Sequence, residues 1–329
     1  MELKNRIKNK VDEKDLTSNC PFPKKNLLIE VTNHCNNKCL FCYNDCMKRK
    51  KQFINEKIVT KALTEAYELG MREVGFYVVG EPLLDKRLKD FIKEAKTIGY
   101  EYVYITTNGI LANLETVKEL YKNGLDSIKY SINASNAKDY QMIHKTNNFD
   151  LVMKNLKSVY QWKKRYKRKI KVYVSYISTD KTKNEKEIKE LFTGNCDEYV
   201  VMPAINQGGL IPNMEEISTK KEEDLNGHFK LPCPYPFKSV IVTVEGYLTA
   251  CCMDFENLLA YANFNETSLK EAWNNETIRK FRKNQLEGKV ENTICHNCIY
   301  NDNNSPRPLD KNLCSLEDFD HLFCKDVRI

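Results

Sequence analysis

From residue 27 to about residue 203 the chain alternates six short strand-like runs with amphipathic helical stretches, and no hairpin turn separates any two of the runs. The runs are Leu27–Val31, Val74–Val79, Tyr102–Thr106, Ser127–Ile132, Val172–Ile177 and Tyr199–Met202. Most are rich in β-branched or aromatic residues, as strands are. Between them, residues 56–69 carry Ile58, Val59, Ala62, Leu63, Ala66 and Leu69 at helical spacing, and residues 86–98, 113–123, 149–167 and 183–192 read similarly. Gly99 and Gly124 stand where a helix gives way to a left-handed residue. Strands joined only by helical crossovers pair in parallel. Six repeats fall short of the eight that close a full barrel. The expected fold class is α/β, an open partial (β/α)6 barrel whose ligands gather at the carboxyl ends of the strands.

The rhythm then stops. Residues 207–230, with Gly208-Gly209, Pro212 and the run Lys220-Lys221-Glu222-Glu223-Asp224, read as a linker. Beyond it, Ser239–Thr243 and Tyr247–Ala250 flank Glu245-Gly246 as a hairpin, a helix is expected over roughly 268–285, and the stretch from Cys295 to Ile329 is polar and irregular. With 41% hydrophobic residues the chain has material for a core, which excludes global disorder. No apolar run reaches the ~20 residues of a membrane span. Met1-Glu2-Leu3-Lys4-Asn5-Arg6 lacks an apolar signal segment, so a cytoplasmic location is expected. The net charge of +7 is spread out. Two basic runs, Lys48–Lys51 and Lys163–Lys169, read as solvated surface and helix end rather than a nucleic-acid groove.

Thirteen cysteines are many for a chain with no export signal. In a reducing compartment they point to metal ligands or nucleophiles rather than disulfides. They gather at 35–46 and again at 233–298, which reads as two metal centres. Cys35, Cys39 and Cys42 have the spacing C-x3-C-x2-C on the loop after the first strand. Three thiolates on one loop can hold three corners of a 4Fe-4S cube and leave the fourth iron open. Spacing alone leaves three other readings standing: zinc with His34 or Cys46 as fourth ligand, a redox pair at Cys39 and Cys42, or core cysteines.

Three further strand ends carry motifs. Val79-Gly80-Glu81-Pro82 follows the second strand, Thr106-Thr107-Asn108-Gly109 the third, and Ser131-Ile132-Asn133 the fourth. Together with the cysteine loop they resemble the radical S-adenosylmethionine (radical SAM) family, whose GGEP motif is matched here except for its first glycine. The resemblance implies a 4Fe-4S cluster whose open iron binds the amino and carboxylate groups of SAM. It implies that Phe41 and Tyr43 flank the adenine, that Gly80 and Glu81 receive the methionine ammonium, that Pro82 stiffens that turn, and that Ser131 and Asn133 reach the ribose. Thr107 and Asn108 belong to the expected cofactor site through the T-N-G turn. Many relatives place an arginine after the fourth strand for the SAM carboxylate. Here the stretch reads Tyr140-Gln141-Met142-Ile143-His144-Lys145, and Lys145, or else His144, is the expected substitute. Reductive cleavage of SAM would then yield a 5′-deoxyadenosyl radical that abstracts hydrogen from a substrate C–H bond, with the electron supplied by a donor such as flavodoxin or ferredoxin.

The run C-x12-G-x4-C from Cys233 through Gly246 to Cys251, followed by Cys295 and Cys298, resembles the SPASM domain of that family in its shortened, twitch form. The full seven-cysteine pattern is absent, since positions 304 and 308 are Asn and Pro. The resemblance implies one auxiliary 4Fe-4S cluster held by Cys233, Cys251, Cys295 and Cys298, with Cys252 the rival of Cys251 and four-thiolate zinc the competing metal. Cys20, Cys46, Cys196, Cys314 and Cys324 are left as free thiols. The expected domains are an extension over 1–26, a radical SAM core over 27–206, the linker over 207–230, and a small auxiliary-cluster domain over 231–329. A saturated cluster suits electron transfer. This favours a redox enzyme acting on a sugar, a cyclitol or a conjugate of either, by oxidation or epimerisation. The alternative is a peptide or protein side-chain maturase, against which the 26 residues before the first strand are few for a peptide-recognition domain. A non-catalytic iron–sulfur carrier is the remote reading. Tyr77, Lys129 and Tyr176 lie on strands where they could face inward, and no catalytic base can be named.

Overall fold

Each helical crossover returns the chain to the same end of the sheet, so successive strands run parallel and their loops collect at one rim. A computed structural model describes residues 21–23, 26–179, 184–211, 217, 232–296, 298, 319–320 and 322. Most of the expected linker, together with Cys20, Cys314 and Cys324, lies outside the described residues. All six expected strands form: β1 (Asn26–Ile29), β2 (Glu73–Gly75), β3 (Tyr102–Thr107), β4 (Ser127–Ser131), β5 (Lys171–Ser178) and β6 (Glu198–Pro203). The helices between and behind them are α1 (Glu56–Glu68), α2 (Leu88–Ile98), α3 (Leu114–Lys122), α4 (Ala137–His144), α5 (Phe149–Arg165) and α6 (Glu185–Phe192). Asn55, Asn113, Asn136 and Asn184 cap α1, α3, α4 and α6 by accepting from main-chain N–H groups of the first turn. Gly99 ends α2 with φ of 119°, in the left-handed region that a glycine enters at no steric cost.

The C-terminal region comprises α7 (Tyr235–Lys238), β7 (Val240–Val242), β8 (Tyr247–Thr249), β9 (Ala260–Asn263), α8 (Leu269–Trp273) and α9 (Glu276–Glu287). Its strands join the same sheet, in the order β6-β5-β4-β3-β2-β1-β7-β8-β9. β7 lies parallel to β1, with Leu28 opposite Ile241, and the hairpin at Glu245-Gly246 turns the chain into antiparallel β8 and β9. The single helix expected over 268–285 is two. Asn275 accepts from Ile278 N–H at 2.9 Å and donates to the Tyr261 carbonyl at 2.8 Å, which starts a new helix in place of continuing the old one. Strand β9 and helices α4 and α7 are additions to the expected elements.

Side chains alternate across each strand. Leu27, Ile29, Val74, Phe76, Val103, Ile105, Ile128, Val172 and Val174 pack beneath the helices in the main apolar core. The opposite, inner face carries Leu28, Tyr104 and Ile241, with Tyr77, Tyr102 and Cys252 packed against them. Lys129 shares that face, its Nζ 5.8 Å from the Tyr77 ring. Tyr176, open to either face on the sequence, packs on the helix side, edge-on to Phe192 at 6.4 Å, because it shares the parity of Val172 and Val174 on β5.

One buried ion cluster joins the two regions. Arg49, from the run read as solvated, is 5% exposed. It contacts Glu30, just past β1, at 2.6 Å and Glu245, in the β7–β8 turn, at 2.6 and 2.9 Å. Glu30 also accepts from Val244 N–H at 2.8 Å, and Glu256 accepts from the Lys48 and Arg49 N–H groups at 2.7 and 3.2 Å. Burial lifts the Glu30 carboxyl above its ordinary range even beside this guanidinium. Removing one partner of such a cluster strands the others in the interior, at about 3–5 kcal/mol. Arg49→Met should lower apo-chain stability in urea by about that amount, with Arg49→Lys recovering a part because an ammonium cannot fork between two carboxylates. A loss below about 1 kcal/mol, the scale of an exposed pair, would contradict this anchoring role.

Candidate functional site

The cysteine loop leaves β1 at the carboxyl rim and is tied at both ends. Asn44 Nδ2 donates to the carbonyls of Asn33 at 3.0 Å and Val79 at 2.8 Å. Asn33 in turn donates to the Lys50 carbonyl at 2.9 Å and accepts from Gln52 N–H at 2.7 Å. The Val79–Pro82 turn is fastened to the loop's start. Glu81 N–H donates to the His34 carbonyl at 2.8 Å, and a Cβ on Gly80 would sit 2.1 Å from the Thr32 carbonyl oxygen. Only glycine permits that approach.

Burial raises the thiols of Cys35 and Cys39, and takes Cys42 up to about 12. Repulsion among the three would-be thiolates adds to the rise at Cys39 and Cys42, which places the thiols in one another's field. His144 Nδ1 lies 3.1 Å from Cys39 Sγ, and Asn108 Nδ2 lies 4.0 Å from Cys35 Sγ. The two candidate fourth zinc ligands lie otherwise: the His34 ring lies tilted against Phe53, 5.0 Å between centroids, and Cys46 is exposed. Buried thiols of this kind are poor free thiolates, yet suit iron, whose charge displaces the proton. The donor set therefore fits an iron–sulfur cube. Among the described residues no group of three or more His, Cys, Asp and Glu is arranged to hold a single ion.

The other expected residues converge on this loop in varying degree. Glu81 is 2% exposed, and its carboxylate accepts from Thr107 Oγ1 at 2.8 Å, Asn108 N–H at 2.7 Å and Leu83 N–H at 3.1 Å. Burial outweighs these donors and holds its carboxyl up at about 7. A carboxylate has about four acceptor positions, so little of Glu81 is left for a ligand. Pro82 opens the one-turn 3₁₀ helix that follows. The Asn108 side chain donates to Asn36 Oδ1 at 2.6 Å. Ser131 Oγ lies 3.4 Å from Ser175 Oγ. Asn133 accepts from Ile177 N–H at 2.8 Å and lies 3.4 Å from His144 Nε2. Lys145 sits exposed past the end of α4 with φ of 59°, while His144 packs inward, stacked on Tyr140 at 4.3 Å and held neutral by burial, which lowers it to about 4. Phe41 is buried with Ile143, Ala204 and Ile211, and Tyr43 lies edge-on to Phe255.

Sequence reasoning missed Gln207 and Lys51. Gln207 clamps the loop's main chain, donating to the Phe41 carbonyl at 3.1 Å and accepting from Tyr43 N–H at 3.1 Å. The adjacent Gly208-Gly209 was the visible signal, since Gln207 shares their positive φ in a sharp turn packed against Ile294. Lys51 lay inside a basic run that gave no sign of burial.

In the C-terminal region five thiols share one neighbourhood: Cys233, Cys251, Cys252, Cys295 and Cys298 influence one another electrostatically. Cys298 N–H donates to the Cys295 carbonyl at 3.2 Å, and Cys251 Sγ accepts from Met253 N–H at 3.3 Å. The neighbours differ in aspect: Cys251 packs against the main core, whereas Cys252 packs against Leu28, Tyr104 and Ile241 on the inner face of the sheet. Their mutual hydrogen bond raises the Cys251 thiol and lowers that of Cys252.

Sequence models place both regions. The model described as the Radical SAM superfamily matches residues 29–193, and SPASM, an iron–sulfur cluster-binding domain, matches residues 233–299. An S-adenosyl-L-methionine-dependent 2-deoxy-scyllo-inosamine dehydrogenase from Niallia circulans is 24% identical over 275 residues, covering 82% of this chain and 90% of its own length. Among solved structures, BtrN in complex with AdoMet and 2-DOIA aligns with a TM-score of 0.56 at 20% identity, over 83% of this chain and 92% of that one. Streptococcus suis SuiB bound to precursor peptide SuiA aligns with a TM-score of 0.64 at 16% identity, over 85% and 70%. At these identities the structures speak for the fold.

Gly80→Ala forces the Thr32 carbonyl away, an overpacking cost of about 1–3 kcal/mol that should weaken retention of SAM about ten- to hundredfold. Equilibrium dialysis with labelled SAM measures this, and native affinity would contradict the close approach. In the apo chain, infrared difference spectra should show a carboxyl titrating near pH 7 that Glu81→Gln removes. Identical spectra for the two proteins would contradict the assignment.

Proposed function

Because the chain belongs to the radical SAM superfamily and carries a SPASM domain, we propose that it is an oxidoreductase acting on a small polar substrate: a sugar, a cyclitol or a conjugate of either. When bound, SAM and the 4Fe-4S cluster supply one-electron cleavage to a carbon-centred radical, and the auxiliary iron–sulfur cluster supplies an electron acceptor. Cys35, Cys39 and Cys42 would hold the first group, with Gly80, Glu81, Thr107 and Asn108 fixing the loop around it. Cys233, Cys295 and Cys298, with Cys251 or Cys252, would hold the second. Phe41 and Tyr43 would flank the adenine, and Ser131 and Asn133 would reach the ribose.

The observation that carries the substrate class is the inner face beneath the cysteine loop. Tyr77 and Lys129 stand together there, the Lys129 Nζ 5.8 Å from the Tyr77 ring, and the Ser131–Ser175 hydroxyl pair lies farther toward the carboxyl ends of β4 and β5, while the Tyr104 hydroxyl beside Tyr77 is spent on Asn26 Oδ1. Hydroxyls and an ammonium on one face suit a polyhydroxylated ligand better than an apolar one. For an oxidation, a substrate carbinol would give a hydrogen atom from carbon to the 5′-deoxyadenosyl radical, and the auxiliary cluster that Cys233, Cys295 and Cys298 would hold would supply the acceptor for the one electron left over, with one proton going to solvent and a carbonyl as product. The relation to the 2-deoxy-scyllo-inosamine dehydrogenase supports this reading. A reducing donor such as flavodoxin or ferredoxin would feed the first site.

A peptide-modifying reading has one observation in its favour. Among the described residues β6 pairs on one side only, and a cavity of about 920 Å³ between that edge and α6, lined by Ile188, Phe192, Tyr199 and Val201, could seat an extended chain. That cavity shares no residue with the cysteine loop, which is why the small-substrate reading is preferred. No helix among the described residues is long and apolar enough to cross a membrane.

Reconstituted, reduced protein should convert SAM to 5′-deoxyadenosine, and Cys35→Ala should abolish this. Cys298→Ala should retain some cleavage while losing product turnover. Native turnover in Cys298→Ala would overturn the electron-acceptor role, and turnover of peptides but not polyols would overturn the substrate class.

A further inference from the structure

Lys51 closes the cysteine loop from below. An ammonium has three N–H donors, and Lys51 Nζ meets three oxygens: the Asn44 carbonyl at 2.7 Å, Asn44 Oδ1 at 2.8 Å and the Asn33 carbonyl at 3.2 Å. Asn33 and Asn44 each stand two residues from a cysteine, Cys35 and Cys42, so one side chain spans the segment that bears all three thiols. None of the three acceptors is a carboxylate, so no direct ion pair with them cancels the charge. At longer range Glu30 and Arg49 act on it with opposite sign. Both Cys35 and Cys42 lie in its field. The carboxyl of Glu81 acts on Cys35 with the opposite sign.

We propose that Lys51 is a positioning residue that also sets the reduction potential of the group held by Cys35, Cys39 and Cys42: its fixed positive charge favours the more negative, reduced state. Charge and hydrogen bonding around the sulfurs are the protein's means of tuning such a site, and a half-buried charge acts with less screening than one in bulk water. The three hydrogen bonds hold the ammonium in place at both ends of the loop. The charge does a second thing that a neutral brace could not.

The inference rests on the reading of residues 35–42 as an iron–sulfur site, and the test separates the two. The holoprotein is titrated electrochemically, following the electron paramagnetic resonance signal that changes on adding SAM. If the site reading is wrong, the wild type itself shows no SAM-sensitive signal. K51M removes both charge and hydrogen bonds, K51Q keeps hydrogen-bonding capacity without charge, and K51R keeps the charge. At the poise where wild type is half reduced, K51M and K51Q are expected to show about a tenfold lower ratio of reduced to oxidised site, a shift of about 59 mV to more negative potential for a one-electron couple. K51R should stay near wild type. A native potential in either neutral variant overturns the proposal. Failure of both neutral variants to retain iron also counts against it, since that outcome makes Lys51 a brace alone.

Discussion

The guanidinium of Arg49 is the point at which three separate stretches of chain become one structure. It lies buried between Glu30 at the end of β1 and Glu245 in the β7–β8 turn, and its own segment follows the cysteine loop directly. Each of the three groups would be costly to bury alone. Together they oblige β7 to lie where it can pair with β1, which extends the parallel sheet into the C-terminal region. The second cysteine neighbourhood thereby acquires a fixed place beside the inner face on which Tyr77, Tyr104 and Cys252 meet. An apolar trio could bury as much surface, but it would not specify so narrowly which turn meets which loop.

Around that anchor the first site is built largely from main-chain contacts. Gly80 is there because the Thr32 carbonyl leaves no room for a side chain. Glu81, expected to meet a ligand, spends most of its acceptor capacity on Thr107, Asn108 and Leu83, and so braces one strand end against the next. Gln207 does the same from beyond β6, clamping the Phe41 and Tyr43 main chain. The arrangement is preorganised: the strand-end motifs hold the cysteine loop, and the loop presents the thiols.

Much of this was legible in the sequence because a parallel βα array pins every strand-end motif to one rim. Once the rhythm was read, the cysteine loop, Gly80-Glu81-Pro82, Thr107-Asn108 and Ser131–Asn133 had to share a neighbourhood. What escaped depends on contacts between residues far apart in the chain. Within Lys48–Lys51, Arg49 looks like surface charge until Glu245, some 200 residues on, pairs with it, while Lys48 and Lys50 do stay exposed. Tyr176 follows the parity of β5, which a one-residue shift in strand phase reverses. The break between α8 and α9 turns on the Asn275 side chain reaching the Tyr261 carbonyl, a tertiary contact that helical periodicity cannot reveal. The inward turn of His144 in place of Lys145 likewise follows from where α4 ends.

Everything proposed for the first site requires a cube of iron and sulfur held by thiolates at three corners, with the fourth iron open to SAM. Mössbauer spectra of the reconstituted protein, recorded with and without SAM, test this most directly. SAM is expected to alter the signal of a single iron site in the cluster of residues 35–42 and to leave the others unchanged. A spectrum insensitive to SAM, or a site that fills with a fully ligated metal, would contradict it.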